Sequence, residues 1–233
     1  MTDDIKRRLL SALPRHLVID LLDMAAARTL QAHELIRDGT DLDGRSARAL
    51  EGQARFRLME KGFQTVCEGH GGIALEGGVI PNTDLRFFQP FIRFGGAEPG
   101  VVLGLASMPA RHELPAKNQS RNAGVSLNYH LTPRLDLDDT GPKPGDIFVL
   151  FLVARDPARA GKLEEVAIGI IDAEYASYLF YEPLETFIAG YADGGEGGDA
   201  GDGEPPPALV TLKRRRQPYK PPEDPDPDQT GDA

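Results

Sequence analysis

The stretch Ile147-Phe148-Val149-Leu150-Phe151-Leu152-Val153-Ala154 decides how the rest of the chain is read. Its residues are all apolar and mostly β-branched or aromatic. A strand with one wet face alternates apolar and polar residues, and this one does not. The run is far too short to span a bilayer, so it reads as a central strand buried on both faces. Such a strand needs cover above and below. The expected fold class is therefore α/β or α+β, with a central mixed β-sheet flanked by helices.

Working outward, Val166–Ile171 reads as the neighbouring strand, joined through a turn at 157–162, and Val101–Met108 as another. Leu85–Phe94 also reads as a strand, with Pro90 forcing a bulge or an edge position. Phe63–Cys67 is a short strand candidate, and the five glycines of 69–78 predict a loop or loose hairpin. Helices are expected at 3–12, before Pro14; at 16–37, where Leu17, Val18, Leu21, Leu22, Ala25, Ala32 and Ile36 share one face; and at 45–61. The last would be capped by Asp43 or Ser46 and ended by Gly62. Segment 109–122 reads as irregular, 124–131 as a strand or part of a helix, and 136–145 as a turn-rich loop. Tyr175–Tyr191 reads as a closing helix broken at Pro183. Three parts follow: an N-terminal helical segment at 1–42, a core domain at 43–192 and a tail at 193–233.

The 233 residues carry a formal net charge of −10. The tail supplies half of that excess, with ten acids against five bases. An acidic total disfavours a protein that coats nucleic acid by charge alone, though not one that holds it at a local site. Cys67 is the only cysteine, which rules out an internal disulfide and fits a reducing compartment. No leader or membrane span is legible, so the expected location is cytoplasmic, with no membrane partner. Fifteen of the tail's 41 residues are Gly or Pro, a composition that predicts disorder. Within it, Lys213-Arg214-Arg215-Arg216 follows Leu209-Val210-Thr211-Leu212. That pairing suggests a peptide that contacts phosphates or docks on a protein partner, beside the plainer reading of a solvated basic patch.

Chemistry concentrates on a few carboxylates. Glu51 interrupts the apolar stripe Ala47, Ala54, Leu58. A buried carboxylate needs a metal or a partner, for which Arg48 and Arg55 are candidates. Asp84 enters the strand at Leu85, although Pro81-Asn82-Thr83-Asp84 is also a turn composition. Glu113 and Lys117 follow the strand at 101–108. The glycines at 69–78 lack the Gly-Lys-Ser/Thr of a phosphate loop. Cys67 and His70 have the spacing of half a zinc site, with His112 or His130 as weak complements.

The order Leu50-Glu51-Gly52, then Gly62-Phe63-Gln64-Thr65-Val66, then Asp84, then Asp146-Ile147-Phe148-Val149 resembles the PD-(D/E)XK, or restriction-endonuclease-like, nuclease superfamily over roughly residues 45–172. That family has a helix bearing a glutamate, a β-hairpin, an aspartate opening a core strand, a strand carrying (D/E)-x-K, then a helix and a buried strand. The resemblance implies a restriction-endonuclease-like core acting on nucleic acid, DNA or RNA. Mg²⁺ would be held by Asp84 and Glu51, and would polarise a phosphodiester and activate water. Strand 101–108 departs from the pattern, holding neither acid nor lysine. Glu113 and Lys117 would be displaced substitutes for them. The sequence expectation is thus a nucleic-acid-associated protein, a degenerate or intact Mg²⁺-dependent nuclease. The competing expectation is a non-enzymatic adaptor with a docking tail.

Overall fold

The computed structural model describes residues 2–76, 78–80, 84–96, 99–131 and 145–193. The tail from residue 194, its basic run at 213–216 and the loop at 136–144 lie outside these. In chain order the elements are α1 (Thr2–Ala12), α2 (Arg15–Gly39), α3 (Gly44–Gly69), β1 (Ile73–Ala74), β2 (Phe91–Phe94), β3 (Val101–Met108) and α4 (Gln119–Val125). A 3-10 helix (Ser126–Leu131), β4 (Ile147–Arg155), β5 (Leu163–Ile171), β6 (Tyr178–Pro183) and α5 (Leu184–Asp193) complete them. The fold is α+β, built on one six-stranded mixed sheet in the order β1-β2-β3-β4-β5-β6. Every neighbouring pair is antiparallel except β3 and β4, which run parallel from Val101↔Ile147 to Met108↔Ala154.

β4 is buried on both faces, as its uninterrupted apolar run predicts. Ile147, Val149, Phe151 and Val153 point into a core shared with Val101, Leu103 and Leu105 of β3. That core is covered by Leu9 of α1, Leu17 and Leu21 of α2, Met59 and Phe63 of α3, and Phe187 of α5. Phe148, Leu150, Leu152 and Ala154 point the other way, towards Ala123 and Val125 of α4 and the loop residues Ile80 and Phe87. The period-2 alternation of a strand sorts one apolar run into two cores. α1 and α2 belong to the first of these cores.

α2 and α3 form an antiparallel helical pair. Asp20 meets His70 and His33 meets Glu51 across it. Asp43 caps α3, accepting from the backbone N–H groups of Arg45 and Ser46. The helix does not stop at Gly62, and Phe63–Cys67 is helix rather than strand. Met59, Phe63 and Cys67, spaced by four, are its buried stripe. Gly62 is small because α2 is close: a Cβ there would lie 2.7 Å from Met24 Sδ.

Three other elements differ from the sequence reading. β2 is only Phe91–Phe94, with Pro90 just before it and an isolated bridge from Arg86 to Val79 upstream. Residues 119–125 are helical, capped by Asn118, whose side chain accepts from Arg121 N–H at 2.8 Å. The segment 124–131 is the end of that helix followed by the 3-10 turn. Tyr175–Tyr191 divides into a strand, β6, and then α5, with Pro183 ending an edge strand where its missing N–H costs nothing.

The crossover from β3 to β4 is pinned by Asn128, which is fully buried. Its Oδ1 accepts from Phe148 N–H at 2.8 Å. Its Nδ2 donates to Phe148 C=O at 3.0 Å and to Ile171 C=O at 2.9 Å. The β4–β5 ladder ends at Leu150↔Gly169, so the amide fills the place of the next backbone pair. Gly104 and Gly124 flank the Phe148 ring, where a Cβ would come within 2.9 and 2.5 Å of ring carbons. Asn128→Ala would orphan three buried backbone groups. It is expected to cost about 3 kcal/mol, read as a lower urea midpoint, whereas a loss under about 1 kcal/mol would mean that water replaces the amide.

Candidate functional site

β3 and β4 run in the same direction, so their carboxyl ends reach the same edge of the sheet. The segments 109–118 and 156–162 leave the strands there. In sheets built on parallel strands, that edge is the usual place for a ligand.

The sequence candidates divide between the two faces. Glu51 lies on α3, whose buried side faces the first core. Its Oε2 accepts from His33 Nδ1 at 3.1 Å, with only 13% of the Glu51 side chain exposed. Its partner is thus a histidine from α2, rather than Arg48. Asp84 is exposed and sits in the loop that inserts Ile80 and Phe87 into the second core. That loop is tied to α4, with Ser120 Oγ accepting from Phe88 N–H at 2.8 Å. Glu113 and Lys117 are exposed on the segment after β3. Tyr178 Oη donates to the backbone carbonyl of Glu113 at 3.0 Å, and Lys117 Nζ lies 5.5 Å from the centre of the Tyr175 ring. These residues therefore belong with the tyrosines of the second core, on the opposite face from α3 and Glu51.

Two further candidates have other work. Cys67 is buried in the first core, and burial pushes its thiol up to about 12, so it stays protonated. His70 Nε2 bonds Asp20 at 2.7 Å. Among the described residues no three His, Cys, Asp or Glu side chains gather as a metal-ligand group.

A cluster not singled out from sequence stands at the carboxyl edge, on the α3 side. Arg55 lies one helical turn beyond Glu51, and its Nη1 is buried with no hydrogen-bond partner. Burial lowers its pKa most, the charge of Arg155 lowers it further, and Glu51 opposes both. Arg155 is the exposed last residue of β4. The turn after it packs on the cluster: a Cβ at Gly161, whose φ of +68° favours glycine, would lie 3.1 Å from His33 Cβ. Three other arginines are neutralised, Arg111 by Glu164 at 3.2 Å, Arg57 by Glu60 at 2.9 Å and Arg159 by Asp156. Arg55 and Arg155 have no carboxylate in salt-bridge range among the described residues. The one sequence signal for them is a charge closing an apolar run at 155 and a second charge four residues after Glu51.

Aromatic side chains lie elsewhere on this edge. His112, held at a φ of +61°, packs edge-on against Tyr181 at a centroid separation of 4.3 Å. Tyr181 Oη donates to Glu165 and accepts from the His112 backbone N–H at 3.3 Å. Burial, reinforced by that carboxylate, raises the Tyr181 phenol well above its usual range.

Asp146 opens β4 at the opposite, amino edge. Its carboxylate accepts from Arg93 Nε at 2.6 Å and Nη2 at 3.1 Å, and from Gly100 N–H. Burial alone would raise its pKa, but the Arg93 bonds, the Gly100 bond and the charges of Arg93 and Arg8 outweigh it and hold it below the usual value. A depressed carboxylate stabilises the fold above its unfolded pKa, about 4, and loses that contribution as pH falls through the folded value. Asp146→Asn is expected to cost about 2 kcal/mol at pH 7, with the gap to wild type closing below about pH 4 in urea titrations. An equal gap at pH 7 and pH 3 would show that charge is not what Asp146 contributes.

Compared with known proteins, the chain matches no family model, no curated protein and no solved structure.

Proposed function

We propose that this domain is a restriction-endonuclease-like core that associates with nucleic acid and is degenerate as a nuclease. One observation carries the reading. The order α3, β1, β2, β3, α4 and a doubly buried β4 parallel to β3 supports it, although Asp84 stands between β1 and β2 rather than opening a core strand. The carboxyl edge of that parallel pair presents two guanidinium groups without carboxylate partners, suited to a phosphate backbone.

The donor set for Mg²⁺ is poor among the described residues. Glu51 is engaged by His33, Asp84 is exposed on an element of the other face, and β3 offers no acid. Mg²⁺ prefers several oxygen ligands in near-octahedral array, and these side chains do not supply them together. In this reading nucleic acid is held rather than cut.

A second reading, a protein adaptor, draws on one feature of the helical pair. Leu35, Leu42 and Leu50, near the end where α2 passes into α3, are 57%, 45% and 38% exposed. Apolar side chains left open in one region suit a protein partner. Among the described residues no helix is long and apolar enough to cross a membrane.

The test offers the full chain labelled single- and double-stranded DNA and RNA with Mg²⁺ or Mn²⁺, beside Asp84→Ala. The expected result is binding that weakens steeply with salt, without cleavage. Cleavage that vanishes in Asp84→Ala would make the protein an intact nuclease with Asp84 in its centre. Absence of binding to all four substrates would favour the adaptor.

A further inference from the structure

We propose that Arg55 and Arg155 form a binding site for a phosphate group at the carboxyl edge of the β3–β4 pair. The inference does not rest on the nuclease reading, since charge and hydrogen bonds suffice to hold an oxyanion there.

Several observations converge. Arg55 Nη1 is buried without an acceptor, an arrangement that native structures avoid unless something else supplies one. A second guanidinium, Arg155, closes β4 just before the turn whose Gly161 packs on His33, the partner of Glu51 one helical turn from Arg55, and its charge acts on Arg55. Two like charges brought together, one of them partly desolvated, favour any anion that can sit between them. The nearby carboxylate is not free to do so, because His33 holds Glu51. His33 is itself packed against the turn after β4, at Gly161. Three other arginines, Arg57, Arg111 and Arg159, are each answered by an acid, whereas Arg55 and Arg155 are not.

The geometry also speaks to the class of anion. A planar carboxylate is satisfied by one guanidinium fork. Two guanidiniums supplied by a helix and a strand end offer more donors than one carboxylate accepts, which suits a tetrahedral group with more oxygens. Phosphate fits that description, either free or as the diester of a nucleic-acid strand.

The experiment uses the full chain, inorganic phosphate, and labelled single- and double-stranded oligonucleotides. Variants are Arg155→Ala, at an exposed position, Arg55→Met, which keeps the apolar stem, and Arg57→Ala as a control on the same helix. At constant ionic strength, millimolar phosphate is expected to raise the unfolding midpoint of wild type and Arg57→Ala, but not of the other two. Without phosphate, Arg55→Met is expected to unfold no earlier than wild type. An arginine retained for packing or pairing would instead leave a clear loss.

The oligonucleotide arm separates the sources. If the phosphate is that of a strand, Arg155→Ala weakens binding about tenfold and lowers the slope of log Kd against log salt by about one. If the ligand is free phosphate, only the midpoint shift responds. The proposal is overturned if phosphate leaves the wild-type midpoint unchanged and neither Arg55→Met nor Arg155→Ala alters oligonucleotide binding. It is equally overturned if Arg57→Ala abolishes the effects as fully as the other two.

Discussion

Everything in this domain hangs on the parallel pairing of β3 with β4. Two antiparallel strands can be joined by a tight turn, but two parallel ones need a crossover that leaves the sheet and returns. Here the crossover carries α4 and the 3-10 turn across one face, and α1, α2, α3 and α5 are left to cover the other. Both faces of β4 are then dry, so its side chains can all be apolar, while its backbone must be satisfied within the sheet. Where the ladder with β5 runs out, the Asn128 amide takes over. At the amino edge, the Asp146 carboxylate joins the start of β4 to Arg93 of β2 and Gly100 before β3. Arg8 of α1 reaches the same corner, donating to the carbonyls of Gly100 and Gly145 at 2.8 and 2.9 Å.

The pairing also sets the two edges apart. At the amino edge the arginines are answered by acceptors: Arg93 by the Asp146 carboxylate, and Arg8 by the carbonyls of Gly100 and Gly145. At the carboxyl edge they are answered only in part. Salt bridges hold the outer arginines, but Arg55 and Arg155 are left facing each other's charge. Structural ion pairs tend to be complete, because an incomplete one is costly to bury. Incompleteness at the edge where parallel strands end is therefore the more informative of the two patterns.

Much of this architecture is visible in the sequence, and the exceptions have physical causes. The apolar run at 147–154 requires double burial, and the helical stripes of α1 and α2 are plain. Gly62 misleads because a glycine that ends a helix and a glycine that lets two helices touch are the same residue; only Met24, distant in sequence, separates the cases. With that boundary misplaced, Met59, Phe63 and Cys67 no longer look like one stripe. β6 is hidden because its tyrosines occur at spacings a helix would also accept, and a register shift beside Ile171 disturbs the strand period. The candidate site is legible only residue by residue. Glu51 stands out as a carboxylate on an apolar helix face, but its partner His33 comes from another helix. Arg55 and Arg155 are a hundred positions apart, and nothing local shows that the charge of one acts on the other. Order along the chain groups Asp84, Glu113 and Lys117 with Glu51, and order does not reveal which face of the sheet an element covers.

Asn128 has a consequence for how the chain assembles. Its three bonds reach β4 and the end of β5, so the sheet's interior cannot close fully until the crossover has docked. Pairing β3 with β4 already demands contact between segments far apart in sequence, and such contacts slow folding. The side-chain amide adds a coupling between that slow step and the completion of the neighbouring antiparallel ladder. Protection of the Phe148 amide against solvent exchange would therefore arise together with the crossover, not with the β4–β5 hairpin to which Phe148 is nearer in sequence.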